Sequence, residues 1–225
     1  MARVAIVKFP GTNCDEDVLY AARSVGLDAR IVWHRDFDPR GWDAVIIPGG
    51  FSYGDWLRAG AIAARTEAVE RIADCIDRGI PVLGICNGFQ ILVEAGLLPG
   101  ALLPNESGRF VCRWVKLVAR DPRGPWLKLV EDGQVLTMPV AHAEGRYVAA
   151  DPRGIEGAPR IHYLDGWNPN GSEMNIAGVG SRNGEVLGLM PHPERAVDRV
   201  LCPRGFEPSG RIIFESLASS LREGW

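Results

Sequence analysis

Pro81-Val82-Leu83-Gly84-Ile85-Cys86-Asn87-Gly88-Phe89-Gln90 reads as a buried strand that runs into a tight turn, from which a helix departs. Glycines stand two residues either side of Cys86. Strand and helix approach too closely at such a turn for a Cβ, which is what the glycines answer. This is the nucleophile-elbow pattern with sulfur in place of the serine oxygen. The turn projects its side chain at the carboxyl edge of the sheet, where open α/β folds take their ligands. A free thiol has a pKa of about 8.5, and a helix N-terminus favours the thiolate. The Asn87 N–H, at the head of that helix, points toward an oxygen on the attacked carbon. The competing reading is a packing cysteine between two small residues; the spacing after a buried strand favours chemistry.

Upstream of the elbow, strands and helices alternate. Val4 to Phe9 is an apolar run ending at Pro10-Gly11, and Asp15 to Val25 has a helical apolar face stopped by Gly26. Ala29 to Trp33 and Ala44 to Ile47 read as strands, the second continuous enough to be covered on both faces. Thr66 is placed to cap a helix that runs to Arg78. Alternation of this kind predicts an α/β fold, a mostly parallel sheet with helices on both faces. From Phe110 onward the texture changes to short β-rich runs: Phe110 to Val118, Gln134 to Val140, Arg160 to Leu164, Asn175 to Val179 and Glu185 to Met190. Asn183-Gly184 is a hairpin signal between the last two. The C-terminal half is therefore expected to add antiparallel strands, closed by a helix from about Ser209 to Leu221. No repeat or linker breaks the chain, so residues 1–225 read as one domain.

A thiol nucleophile needs a base. His192 lies in Met190-Pro191-His192-Pro193-Glu194, just past an apolar strand. Flanking prolines predict an extended backbone, in which residues two apart share a side. Glu194 is then positioned to orient the imidazole and leave its other nitrogen for Cys86. His34 and His162 read as loop and structural residues; His142, in Ala141-His142-Ala143-Glu144-Gly145, is placed to line a pocket but not to be the base. The third strand ends in Pro48-Gly49-Gly50, whose backbone N–H groups lack side-chain cover. Gly50 is assigned the second oxyanion donor, beside Asn87, and one such donor is typically worth roughly 3–4 kcal/mol of barrier.

The remaining features exclude more than they assign. Hydrophobic residues make up 46% and charged residues 24%, an ordinary soluble balance, and the net charge of −3 is not patterned. No basic stripe suits nucleic acid and no amphipathic basic segment suits a membrane. Met1 leads straight into the first strand without the apolar core of a signal peptide. The five cysteines are odd in number and widely spaced, with neither zinc-type pairs nor a disulfide framework. A cytoplasmic protein with no metal site is the expectation.

Gly84-x-Cys86-x-Gly88-x-Gln90, Pro48-Gly49-Gly50 and His192-Pro193-Glu194, in that order, resemble the class I glutamine amidotransferases, whose triad is Cys, His and Glu. Four further stretches resemble one subfamily, the glutaminase subunits of phosphoribosylformylglycinamidine synthase in purine biosynthesis. They are Phe9-Pro10-Gly11-Thr12-Asn13-Cys14-Asp15, Gly49 to Asp55, Cys86 to Gln90, and Asn168-Pro169-Asn170-Gly171-Ser172. The resemblance implies Cys86 as nucleophile, His192 as base and acid, and Glu194 as orienter. It implies Gly50 and Asn87 on the oxyanion, with Gln90, Gly49, His142 and Glu144 near the substrate glutamine. It implies no cofactor in this chain, with ATP and magnesium on a partner synthetase, and a small accessory subunit in the same complex. Ala143, where the family pattern has glycine, and Leu201 to Glu207 depart from it.

Three other readings compete. A γ-glutamyl hydrolase or peptidase-like relative would keep a Cys and a His but need not keep His192-x-Glu194. A catalytically dead regulatory subunit would not need the three residues together. The glutaminase of a different biosynthetic complex would share the triad but not the flanking stretches.

Overall fold

The computed structural model describes residues 1–149 and 151–225. One nine-stranded sheet organises it. The strands are β1 (Arg3–Lys8), β2 (Asp28–Trp33), β3 (Ala44–Ile47), β4 (Val82–Ile85), β6 (Val111–Arg120), β7 (Val135–His142), β9 (Arg160–Tyr163), β10 (Ile176–Gly180) and β11 (Val186–Leu189). Their order is β2-β1-β3-β4-β11-β10-β9-β6-β7. The pairs from β2 to β11 are parallel, and those from β11 to β7 are antiparallel. The expected parallel half and added antiparallel strands are therefore one continuous sheet. A separate two-stranded ribbon, β5 (Ala101–Leu103) with β8 (Arg146–Val148), has no counterpart in the sequence reading.

The helices are α1 (Asp15–Ser24), α2 (Glu67–Asp77), α3 (Asn87–Glu94) and α4 (Arg211–Glu223). The sheet order reverses at β1: α1 carries the chain to β2 on one side, and α2 carries it from β3 to β4 on the other. Right-handed crossovers then put α1 and α2 on opposite faces. Parallel strands covered on both faces need apolar side chains throughout, and all four residues of β3, β4 and β11 are buried. Thr66 stands at the head of α2 as expected but does not cap it with its side chain. Its hydroxyl turns back and donates to the Ala63 carbonyl at 2.7 Å.

Register sets up the site. In the parallel pairs Ile47 lies level with Gly84, and Leu189 with Ile85. The residues that follow, Gly49 after β3, Cys86 after β4 and His192 after β11, emerge together at the carboxyl edge. No helix among the described residues is long and apolar enough to cross a membrane.

Candidate active site

Cys86 stands between β4 and α3 with φ 50° and ψ −103°, a conformation that L-residues avoid and that costs of order 1–3 kcal/mol. The surrounding contacts hold it there. A Cβ on Gly88 would lie 2.0 Å from the Ile47 carbonyl oxygen, and one on Gly84 2.7 Å from the Gly88 carbonyl. Helix and sheet can be this close because both positions are glycine. The Cys86 N–H donates to the Leu189 carbonyl at 2.6 Å, which ties the elbow to the end of β11. Its thiol donates to the Ala141 carbonyl at 3.6 Å.

His192 and Glu194 are buried, and Nδ1 of the imidazole meets Glu194 Oε1 at 2.7 Å. The local route differs from the extended one expected. His192 itself is extended, but Pro193–Ala196 forms a turn of 3-10 helix, and Glu194 folds back within it. That turn is anchored by the Gly210 N–H on the Ala196 carbonyl at 2.8 Å and by the His192 N–H on Pro139 at 2.8 Å. The other ring nitrogen, Nε2, is buried without a protein partner. Burial disfavours the imidazolium, but the Glu194 carboxylate and the two thiols of Cys86 and Cys14 outweigh it and hold His192 well above the usual histidine range.

These groups meet in a cavity of about 160 Å³ bounded by Gly50, Phe51, Cys86, Phe110, Ala141 and His192, among others. A larger groove of about 500 Å³ lies beyond Arg195, against Tyr20, Trp114 and Leu201, but holds neither the thiol nor the imidazole. The smaller cavity is the candidate site because the chemistry is there. Gly50, at φ 153°, lines it, and neither its N–H nor that of Asn87 finds an acceptor among the described residues. Two free donors beside a thiol are what an oxyanion requires.

The other expected residues build the walls. Gln90 donates to the Glu144 carbonyl at 2.6 Å and accepts from the Asn87 amide at 2.9 Å. Asn87 in turn accepts from the Ser52 N–H at 3.1 Å. The side chains of Asn87 and Gln90 thus fasten the loop after β3 and the loop after β7 to the elbow helix. The Glu144 carboxylate accepts from the Ala59 N–H at 3.2 Å. Its charge, after burial itself, pushes the Asp55 carboxyl up to about 6. His142 does not face the cavity. Its ring lies under Gly145, Nδ1 meets Asn105 Oδ1 at 3.0 Å, and Nε2 meets the Asn170 amide at 3.4 Å. Burial first, and then His192, pushes its pKa down to about 4, so it stays neutral. Gly49 is packed among His192, Cys14 and Cys86, and its carbonyl accepts from the N–H groups of Asn13 and Cys14.

The chain matches the family of CobB/CobQ-like glutamine amidotransferase domains over residues 1–211. It belongs to that family. This amidotransferase domain is 55% identical over 220 residues, 98% of its own length and 99% of the relative's, to phosphoribosylformylglycinamidine synthase subunit PurQ of Pyrobaculum aerophilum. The PurQ subunit of Pyrococcus horikoshii is 47% identical over 228 residues, covering 99% of this chain and all of that one. A chain in the structure of PurLQS from Thermotoga maritima superimposes with a TM-score of 0.87 at 42% identity, with 98% of this domain and 99% of that chain covered. A Thermotoga maritima glutamine amidotransferase at 17% identity, TM-score 0.63, shares the fold.

Sequence reasoning gave no role to two groups at the site. Cys14 lines the cavity, and Arg195 Nη2 donates to its sulfur at 3.0 Å. Cys14 stands in the N-terminal stretch Phe9 to Asp15, and Arg195 directly follows Glu194. Neither stretch reveals that α1 and the turn after β11 meet. Asn105 and Asn170, which hold His142, are likewise brought in from distant loops.

Proposed function

We propose that residues 1–225 form one glutaminase domain that hydrolyses glutamine to glutamate and ammonia and delivers the ammonia to a synthetase subunit. The synthetase uses ATP and magnesium to convert formylglycinamide ribonucleotide to formylglycinamidine ribonucleotide. The chemistry rests on one observation above all: a strained thiol, a carboxylate-held imidazole and two unengaged backbone donors at one cavity. The choice of pathway rests on full-length likeness to PurQ subunits, and likeness to a chain of PurLQS supports a synthetase and a small accessory subunit as partners.

In this reading the Cys86 sulfur attacks the side-chain carboxamide carbon, forming a C–S bond. The oxyanion is received by the N–H groups of Gly50 and Asn87. His192, held by Glu194, gives its proton to the nitrogen as the C–N bond breaks, and ammonia leaves. The glutamyl thioester is then opened by a water whose proton passes to His192, and glutamate departs. Gln90, Gly49 and His142 shape the site through the contacts described above, and Glu144 fixes the loop that bears Ala59.

The synthetase also governs the rate. Free ammonia is protonated at neutral pH and diffuses away, so hydrolysis without an acceptor is wasted. Gly50 sits on the loop that Asn87 pins through Ser52, and that loop carries left-handed residues Tyr53, Asp55 and Leu57 together with Gly54. Such a segment can be repositioned by a partner. Glutamate release is to be measured for the isolated chain, then with synthetase, acceptor nucleotide and ATP. The expected result is a marked rise in the full mixture and none with Cys86→Ala. An isolated chain that already turns over at the rate of the assembly would refute partner gating, and a Cys86→Ala protein that still releases glutamate would refute the nucleophile.

A further inference from the structure

Two thiols, not one, line the candidate cavity. Cys14 is 1% exposed, and its backbone N–H donates to the Gly49 carbonyl at 3.2 Å, so the head of α1 is tied to the end of β3. A Cβ built on Gly49 would lie 3.1 Å from the Cys14 sulfur and 3.5 Å from the Cys86 β-carbon. Both cysteines therefore border the one spot that a methyl on Gly49 would fill, with His192 Cε1 2.9 Å from it. The Cys14 sulfur, a His192 ring nitrogen and a Glu194 oxygen all lie within 4.8 Å of one another. The other cysteines are elsewhere: Cys75 is on the buried face of α2, Cys112 is exposed on β6, and Cys202 follows the turn Arg199–Leu201.

We propose that Cys14 is a resolving thiol for Cys86, closing a reversible disulfide with it after oxidation by a peroxide. An exposed surface pair would form such a bond by accident. Here the partner sulfur is placed with care, accepting from the Arg195 guanidinium at 3.0 Å and donating to Asn13 Oδ1 at 3.2 Å. Because residue 49 is glycine, it places no side chain of its own at the spot that both cysteines border.

The electrons balance with the peroxide as oxidant. The Cys86 thiolate attacks one peroxide oxygen, an S–O bond forms, the O–O bond breaks and hydroxide leaves. The Cys14 sulfur, giving up its proton, then attacks the Cys86 sulfenic sulfur. An S–S bond forms, the S–O bond breaks, and the second oxygen leaves as water. Two thiols are oxidised and one peroxide becomes two waters. A dithiol reductant reverses the bond by exchange. The consequence is protective, since a sulfenic acid without a neighbouring thiol is carried by a second peroxide to sulfinic acid, which thiols do not reduce. That this closure also stops glutamine hydrolysis rests on Cys86 being the nucleophile; the bond itself does not.

The test treats the chain with hydrogen peroxide in excess over its thiols, blocks remaining thiols and maps the peptides by mass. A cross-linked Cys14–Cys86 peptide pair, lighter by about 2 Da than the two thiol peptides together and released by dithiothreitol, is expected. In Cys14→Ser and Cys14→Ala the Cys86 peptide should instead become heavier by about 32 Da and stay so under reductant. Wild-type protein that carries the same irreversible product as the variants, or a bridge from Cys86 to another cysteine, would overturn the proposal. A mapped Cys14–Cys86 bond in protein that still hydrolyses glutamine would leave the proposal standing and overturn the role given to Cys86.

Discussion

Glu194→Gln separates orientation from proton transfer. The carboxylate makes a 2.7 Å contact with His192 Nδ1, and both groups are buried, so water cannot replace it. A buried hydrogen bond to a charged group is worth about 2–3 kcal/mol, which as lost transition-state stabilisation is about 100-fold in rate. His192→Ala removes the group that moves a proton in both half-reactions and should cost about 10⁴-fold or more. The pH profile adds a second readout. Burial opposes the His192 charge, but Glu194 and the two thiols outweigh it and raise its pKa. The imidazolium is the acid for departing ammonia, so activity falls as pH rises through that pKa. With a neutral amide at residue 194 the pKa drops, and the alkaline fall moves to lower pH. Steady-state glutamate release across pH, with purified synthetase present throughout, measures both effects. Glu194→Gln at the wild-type rate, or slowed with its alkaline limb unmoved, would refute this division of roles.

Two further predictions concern the frame of the site. Gly88→Ala should destabilise the protein by about 3 kcal/mol or more, because its Cβ would meet the Ile47 carbonyl oxygen at 2.0 Å and only backbone movement relieves that; denaturant unfolding checks it, and a variant within 1 kcal/mol of wild type, roughly the error of such a comparison, would contradict the close approach. Asp55 titrates near 6 because burial and then Glu144 disfavour its charge, so above that pH the folded chain holds an ion it would rather protonate. Asp55→Asn should therefore raise stability at about pH 7.5 by roughly 1 kcal/mol, discounted for partial exposure, and change little at about pH 3.5. Equal effects at both pH values would show that the ion is not the cause.

What the sequence disclosed and what it hid follow from the range of the interactions. Continuous apolar runs such as Ala44–Ile47 and Val82–Ile85 specify buried parallel strands locally, and the Gly-x-Cys-x-Gly spacing specifies the elbow. The β-rich runs that became β6 and β7 are neighbours in the chain and pair with each other, so they were legible as well. The ribbon of β5 and β8 was not, since each strand has three residues and its partner lies some 45 residues away. Thr66 has the chemistry of a cap, yet its hydroxyl satisfies a preceding carbonyl instead. Glu194 reaches His192 through a 3-10 turn set by α4 packing on Pro193, where a Cβ on Gly210 would lie 2.0 Å from the Pro193 carbonyl oxygen. No local pattern announces that packing. For the same reason His142 could be read as lining the pocket. Its engagement by Asn105 and Asn170 depends on loops 37 and 28 residues away.

The central claim is that Cys86, alone among five cysteines, attacks the glutamine side chain. A glutamine analogue with an electrophilic side-chain ketone, incubated with the chain in its synthetase complex and followed by peptide mapping, tests this most directly. A single adduct on Cys86, suppressed by excess glutamine and absent in His192→Ala at equal exposure, is the result predicted. An adduct on Cys14 or Cys202, or labelling of Cys86 that glutamine does not suppress, would contradict it.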